Sequence, residues 1–192
     1  MTTLIIGLIL FLGVHSARIF ADGWRTNMVS RLGNKGWKRA YSVASLLGLV
    51  VLVYGYGLAR QSPILLWSPP LWARYIAIAL TVLAFILLAA AFVPGNRIKA
   101  AVGHPMVLGV KTWAAAHLIA NGTLAAVVLF GAFLLWAVFS FSAARRRDRA
   151  AGTVYVRGPQ SRTVVAIVAG MVAWAVFAFW LHGPLIGVRP LG

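Results

Sequence analysis

The chain alternates long apolar runs with short polar breaks, and nowhere shows the strict apolar–polar alternation of a half-buried strand. A helix crossing a bilayer needs about 20 largely apolar residues, with shorter segments tolerated inside a bundle. Six runs meet this: Leu4–Phe20, Tyr41–Leu58, Leu71–Phe92, Met106–Ala120, Thr123–Phe141 and Val164–Leu181. Turn-forming pairs mark their edges, among them Asp22-Gly23, Ser62-Pro63, Pro94-Gly95, Asn121-Gly122 and Gly183-Pro184. The expected fold is all-α, an integral membrane bundle of six transmembrane helices forming a single domain over residues 1–192. Only Asn121-Gly122 separates the fourth and fifth runs, so those two are expected to form a tight antiparallel hairpin.

Composition strengthens this picture. The chain is 61% hydrophobic, well above the roughly 45–50% of a soluble domain. The formal net charge of +16 would suggest nucleic acid in a soluble protein. Here the basic residues sit in short breaks between apolar runs, where they set orientation and meet anionic lipid headgroups; no nucleic-acid partner is expected. Of the 18 basic residues, all but Arg60, Arg74 and Arg189 fall on one side of the six-span arrangement. That side is expected to be cytoplasmic, which places the N- and C-termini on the non-cytoplasmic side of a bacterial inner membrane. The Arg145–Arg149 run reads as an orientation anchor and headgroup site. Met1 to Phe20 has no basic leader before its apolar run and reads as a retained first helix rather than a cleaved signal.

Ionisable groups inside spans are costly and mark candidate sites. The stretch 104–121, the fourth run with its edges, carries His104, Lys111, His117 and Asn121. His104 and Lys111 are seven apart and share one helix face; Trp113, His117 and Asn121 are four apart and share another, roughly 140° away. A helix polar on two faces is expected in the bundle centre. His15 lies inside the first run with Arg18 three residues on, a spacing that would let Arg18 meet a haem propionate while His15 reaches the iron. Equally, His15 could hydrogen-bond a neighbouring helix while Arg18 extends to lipid phosphate. His104 could cap or bond a loop before Pro105, and His182 could be a solvated interfacial residue.

Other chemistries are excluded. With no cysteine, there are no disulfides, iron–sulfur clusters or thiolate haem ligands. The two acids, Asp22 and Asp148, lie outside the runs and far apart in sequence, which gives no support to paired-carboxylate catalysis or an intramembrane acid relay. Neither a G-x-S-x-G elbow nor a His-x-x-x-His zinc pattern occurs. What remains is histidine ligation, or no chemistry.

His104-Pro105-Met106, Trp113-Ala114-Ala115-Ala116-His117 with Asn121-Gly122, and His15-Ser16-Ala17-Arg18 together resemble the NnrU family of membrane proteins, over nearly the whole chain. The resemblance implies a link to denitrification, through nitrite and nitric oxide reductase function. The family is also similar to the plastid 15-cis-zeta-carotene isomerase, which uses haem b. That likeness implies haem b bound through His15 and His117, with Arg18 and Trp113 beside it and His104 and His182 as alternate ligands. The isomerase has a cysteine three residues before its second histidine, where this chain has Ala114, so a thiolate ligand change is not available here. On simple depth, His15 lies roughly 8 Å and His117 roughly 18 Å from the cytoplasmic end of their spans, so His15 with His104, or His117 with His182, match better. The alternatives to a redox haem protein are a haem-dependent isomerase of a hydrophobic polyene, and a non-catalytic assembly or regulatory protein.

Overall fold

A computed structural model describes residues 1–190. The helices are α1 (Thr2–Phe20), α2 (Asp22–Ala59), α3 (Leu71–Phe92), α4 (Arg97–Val102), α5 (Pro105–Ala120), α6 (Leu124–Ala150), α7 (Gln160–Val176) and α8 (His182–Ile186), with a π-helical turn at Phe177–Leu181 joining the last two. Among the described residues, five helices are long and apolar enough to cross a membrane: α1, α2, α3, α6 and the stretch Gln160–Ile186. The expected fourth span is α5, which has 16 residues. It is about 24 Å long, shorter than the roughly 30 Å of a hydrocarbon core.

Two features differ from the sequence expectation. The first basic segment, expected as a loop, is helical from Asp22 onward, and Gly33 interrupts it with φ 68° and ψ 164°. A left-handed φ costs glycine nothing and other residues much, so Gly33 sets the position of the kink. The second difference is α6, which runs on from its apolar part through the arginines to Ala150. Arginine is a good helix former, and cations near a helix C-terminus complement its dipole, so nothing in this run stops the helix.

The contacts gather into two compact units. The first comprises residues 1–68 and 121–140. Here α1 packs along α2 through small residues: a Cβ on Gly7 would overlap the Leu52 backbone, and one on Gly55 the Leu4 backbone. Lipid offers no hydrophobic drive for helix association, so close backbone approach at glycine supplies van der Waals contact instead. The segment before α3 pairs with the start of α6. Leu66 N–H donates to Gly122 O at 2.8 Å, and Leu124 N–H to Ile64 O at 2.9 Å, around an isolated bridge between Leu65 and Thr123.

The second unit comprises residues 69–120 and the chain from Phe141 onward. There α3 packs against α5 and α7, again through small residues: Ala84, Ala90, Ala114, Ala116 and Ala166 are fully buried. A side-chain hydrogen bond ties two of these helices: Trp174 Nε1–H donates to Thr81 Oγ1 at 3.0 Å. At the start of α4, buried Asn96 accepts from Lys99 N–H at 2.8 Å and donates to Ala90 O at 2.8 Å. One amide thus caps α4 and closes the end of α3.

Candidate functional site

His15 and His117 share one local arrangement. His15 Nδ1 lies 2.7 Å from Phe11 O, and His117 Nδ1 lies 2.9 Å from Trp113 O, each the carbonyl four residues earlier on its own helix. A carbonyl only accepts, so both Nδ1 atoms carry a proton, and in the neutral form of each ring the lone pair is then on Nε2. Histidines that ligate metals are commonly oriented in this way, with the remote N–H on a backbone carbonyl or carboxylate. Either histidine by itself has the donor chemistry of an axial haem ligand.

In the first unit, His15 sits among aromatic rings: Phe11 at 4.3 Å, Tyr41 at 5.3 Å and Trp136 at 6.1 Å between centroids. The indole Nε1 of Trp136 is buried without a hydrogen-bond partner among the described residues. A groove of about 340 Å³ opens beside the imidazole, lined by His15, Arg18, Arg25, Lys38, Trp37 and Tyr41. It therefore combines an imidazole, flat aromatic walls and three cations. That suits a planar apolar molecule carrying carboxylates. Arg18 is exposed and 4.0 Å from Asp22. An exposed pair at that separation contributes about 0–1 kcal/mol, so it does not fix the guanidinium tightly.

In the second unit, the Trp113 ring lies 5.0 Å from His117, as their shared face predicts. Ala114, on the same helix, is fully buried. His182 follows the π-helical turn; its Nδ1–H donates to Val188 O at 2.6 Å, and its ring meets Phe177 edge-on at 5.6 Å. A π-helical turn adds a residue to the helical register and so redirects the side chains that follow it.

His104 is built differently. Its Nε2 lies 2.7 Å from Asp148 Oδ2, so the proton is on Nε2 and points at a carboxylate. Tyr155 OH donates to the same carboxylate at 3.2 Å. The apolar part of α6 ends near Phe141, so Asp148 and Tyr155 lie beyond the crossing segment. Partial loss of water disfavours the charged carboxylate, but the hydrogen bond and charge of His104, the Tyr155 hydroxyl and the nearby Arg145 outweigh it, and Asp148 titrates below its ordinary value. Partial desolvation and the Asp148 carboxylate together push the Tyr155 hydroxyl above its usual range.

The structure thus brings His104, Asp148 and Tyr155 together, a cluster the sequence does not announce. The partners are 44 and 51 residues from His104, and in sequence Asp148 reads only as an acid inside an arginine run. Among the described residues, no three histidine or acidic groups converge as they would on a metal ion. A haem iron asks less of the protein, since the porphyrin supplies four of its ligands.

No curated protein and no solved structure matches the chain. A family model described as NnrU protein matches residues 3–190, so the chain belongs to the NnrU family.

Proposed function

We propose that this NnrU family membrane protein binds haem b, with His15 and His117 as its iron ligands, and serves a redox process linked to nitrogen-oxide respiration in the bacterial inner membrane. The observation that carries this reading is the shared hydrogen bond: both imidazoles donate Nδ1–H to the carbonyl one turn back, which in the neutral ring leaves Nε2 as the ligating nitrogen. Haem b supplies one-electron chemistry when bound. The chain's own residues hold and tune it. The carbonyls of Phe11 and Trp113 orient the rings and raise their basicity. Phe11, Tyr41 and Trp113 offer flat apolar contact. Arg18, Arg25 and Lys38 meet carboxylates at the edge of the groove. The basic segments face the cytoplasm in this reading, where they contact anionic headgroups.

Isomerase chemistry is the weaker reading. Buried Ala114 offers no thiolate for a ligand exchange, and the groove beside His15 is lined by Arg18, Arg25 and Lys38 as well as by aromatic rings.

The test is an absorption spectrum of detergent-purified protein from haem-replete cells. A Soret band with split α and β bands on reduction is expected, and His15→Ala should abolish or shift it. Colourless wild-type protein from such cells would reject the proposal. Conversion of a cis-polyene by the reduced, haem-loaded protein would favour the isomerase instead.

A further inference from the structure

We infer that the groove formed by Phe141, Ser142, Arg145, Arg146 and Arg149 is a defined binding site for one anionic phospholipid, rather than a stretch of generally basic surface. The groove measures about 370 Å³, within the range of small-ligand sites. Its residues form a polarity ladder along one helix face. Phe141, Arg145 and Arg149 follow at intervals of four, with Ser142 and Arg146 beside them. The ladder passes from an aromatic ring at the end of the apolar segment, through a hydroxyl, to three guanidiniums about one to two turns further on. A phospholipid presents the same sequence of groups: acyl chain, ester oxygens, phosphate. Guanidinium forks match phosphate oxygens in pairs, which a scattered lysine surface does not do.

Two further observations support a formed site. The only acid in this arginine run is Asp148, and its carboxylate is already engaged by His104 and Tyr155, while Arg146 and Arg149 are exposed. One carboxylate, which already feels Arg145, thus stands against three guanidiniums, and the groove keeps a net positive charge. The wall behind it is also fixed. The His104 ring meets Phe141 edge-on at 6.2 Å, and Tyr155 at 6.0 Å. Gly103, with φ 74°, leaves room for both neighbours: a Cβ there would lie 3.1 Å from the Tyr155 ring and 3.4 Å from Arg145 Nη1. Arg145 is itself exposed, with Nη1 beside Gly103 at the groove's edge, so its guanidinium is open to a phosphate.

The experiment uses the full-length protein in detergent, where no bilayer surface remains to attract lipid by bulk charge. Native mass spectrometry would follow titration with phosphatidylglycerol and with phosphatidylcholine. One retained phosphatidylglycerol per chain is expected. The triple variant Arg145→Gln/Arg146→Gln/Arg149→Gln should weaken its retention by at least about tenfold. The control variant Arg31→Gln/Lys35→Gln/Arg39→Gln, which removes equal charge elsewhere, should retain the lipid as wild type does. Phosphatidylglycerol should also raise the melting temperature of wild type and control but not of the groove variant, provided that each elutes as a monodisperse peak. Equal losses in both triple variants, equal retention of the two lipids, or displacement by millimolar inorganic phosphate would each overturn the inference.

Discussion

His15 and His104 stand at opposite poles of what a histidine near a membrane span does. His15 donates its Nδ1 proton to a carbonyl of its own helix, which in the neutral ring leaves the lone pair on Nε2. His104 gives its Nε2 proton to a carboxylate on another helix, and the bond ties the start of α5 to the end of α6. The residue type is the same and the chemistry is opposite, because the acceptor decides which nitrogen keeps the lone pair. A count of histidines in or beside apolar runs treats the four alike. The hydrogen-bond partner separates the ligand candidates from the fastener.

The widest separation between them should appear in haem content. His15→Ala is expected to lose the Soret band or shift it strongly, while His104→Ala, purified identically, keeps the wild-type spectrum. Spectra altered equally in the two variants would erase the distinction. A nearly equal loss is expected from Gly55→Leu, which touches no ligand: a side chain there collides with the Leu4 backbone and moves the helix that carries His15. Overpacking of this kind costs about 1–3 kcal/mol or more, visible as lower haem occupancy together with a lower melting temperature.

Next in size is the response of the fastener to pH. The Asp148 carboxyl titrates below its ordinary value in the folded protein, so its stabilising contribution is full above about pH 5 and is lost as pH falls below about 4. The melting-temperature difference between wild type and Asp148→Asn should follow that course and narrow on acidification. A gap that stays constant from pH 6 to pH 3 would show that the carboxylate's charge plays no part. Smallest is Tyr155→Phe, which keeps the ring beside His104 and removes one hydroxyl from the carboxylate. It should lower the melting temperature by about 2–4 °C and leave any haem spectrum unchanged.

Much of this was legible beforehand, and the reasons are local. Apolar run length gave the membrane character and the long helices. The four-residue spacing of Trp113 and His117 gave their shared face, and Pro105 the start of α5. The turn residues Pro94-Gly95-Asn96 marked the break that Asn96 caps. The basic stretch from Asp22 to Lys35 was hidden because charge pattern argues exposure, not conformation, and a solvated helix is as polar as a loop. The continuation of α6 through its arginines was hidden for the same reason. The bounds of α5, Pro105–Ala120, lie within one residue of the apolar run Met106–Ala120. The His104–Asp148–Tyr155 cluster was out of reach entirely. Its members are far apart in sequence, and each has an ordinary surface role when read alone.

The helix α6 contributes residues 124–140 to one compact unit and the remainder to the other, and each unit is built from two separated stretches of chain. This interleaving governs the order of assembly. The translating ribosome delivers α1 and α2 first, then α3 to α5 of the second unit, and only then the part of α6 that brings Phe133 and Trp136 to the rings around Phe11 and His15. Through that interval the face of His15 that receives Trp136 waits uncovered in the bilayer. A nascent chain stalled after Ala120 would carry the imidazole and its groove without the indole neighbour that α6 brings.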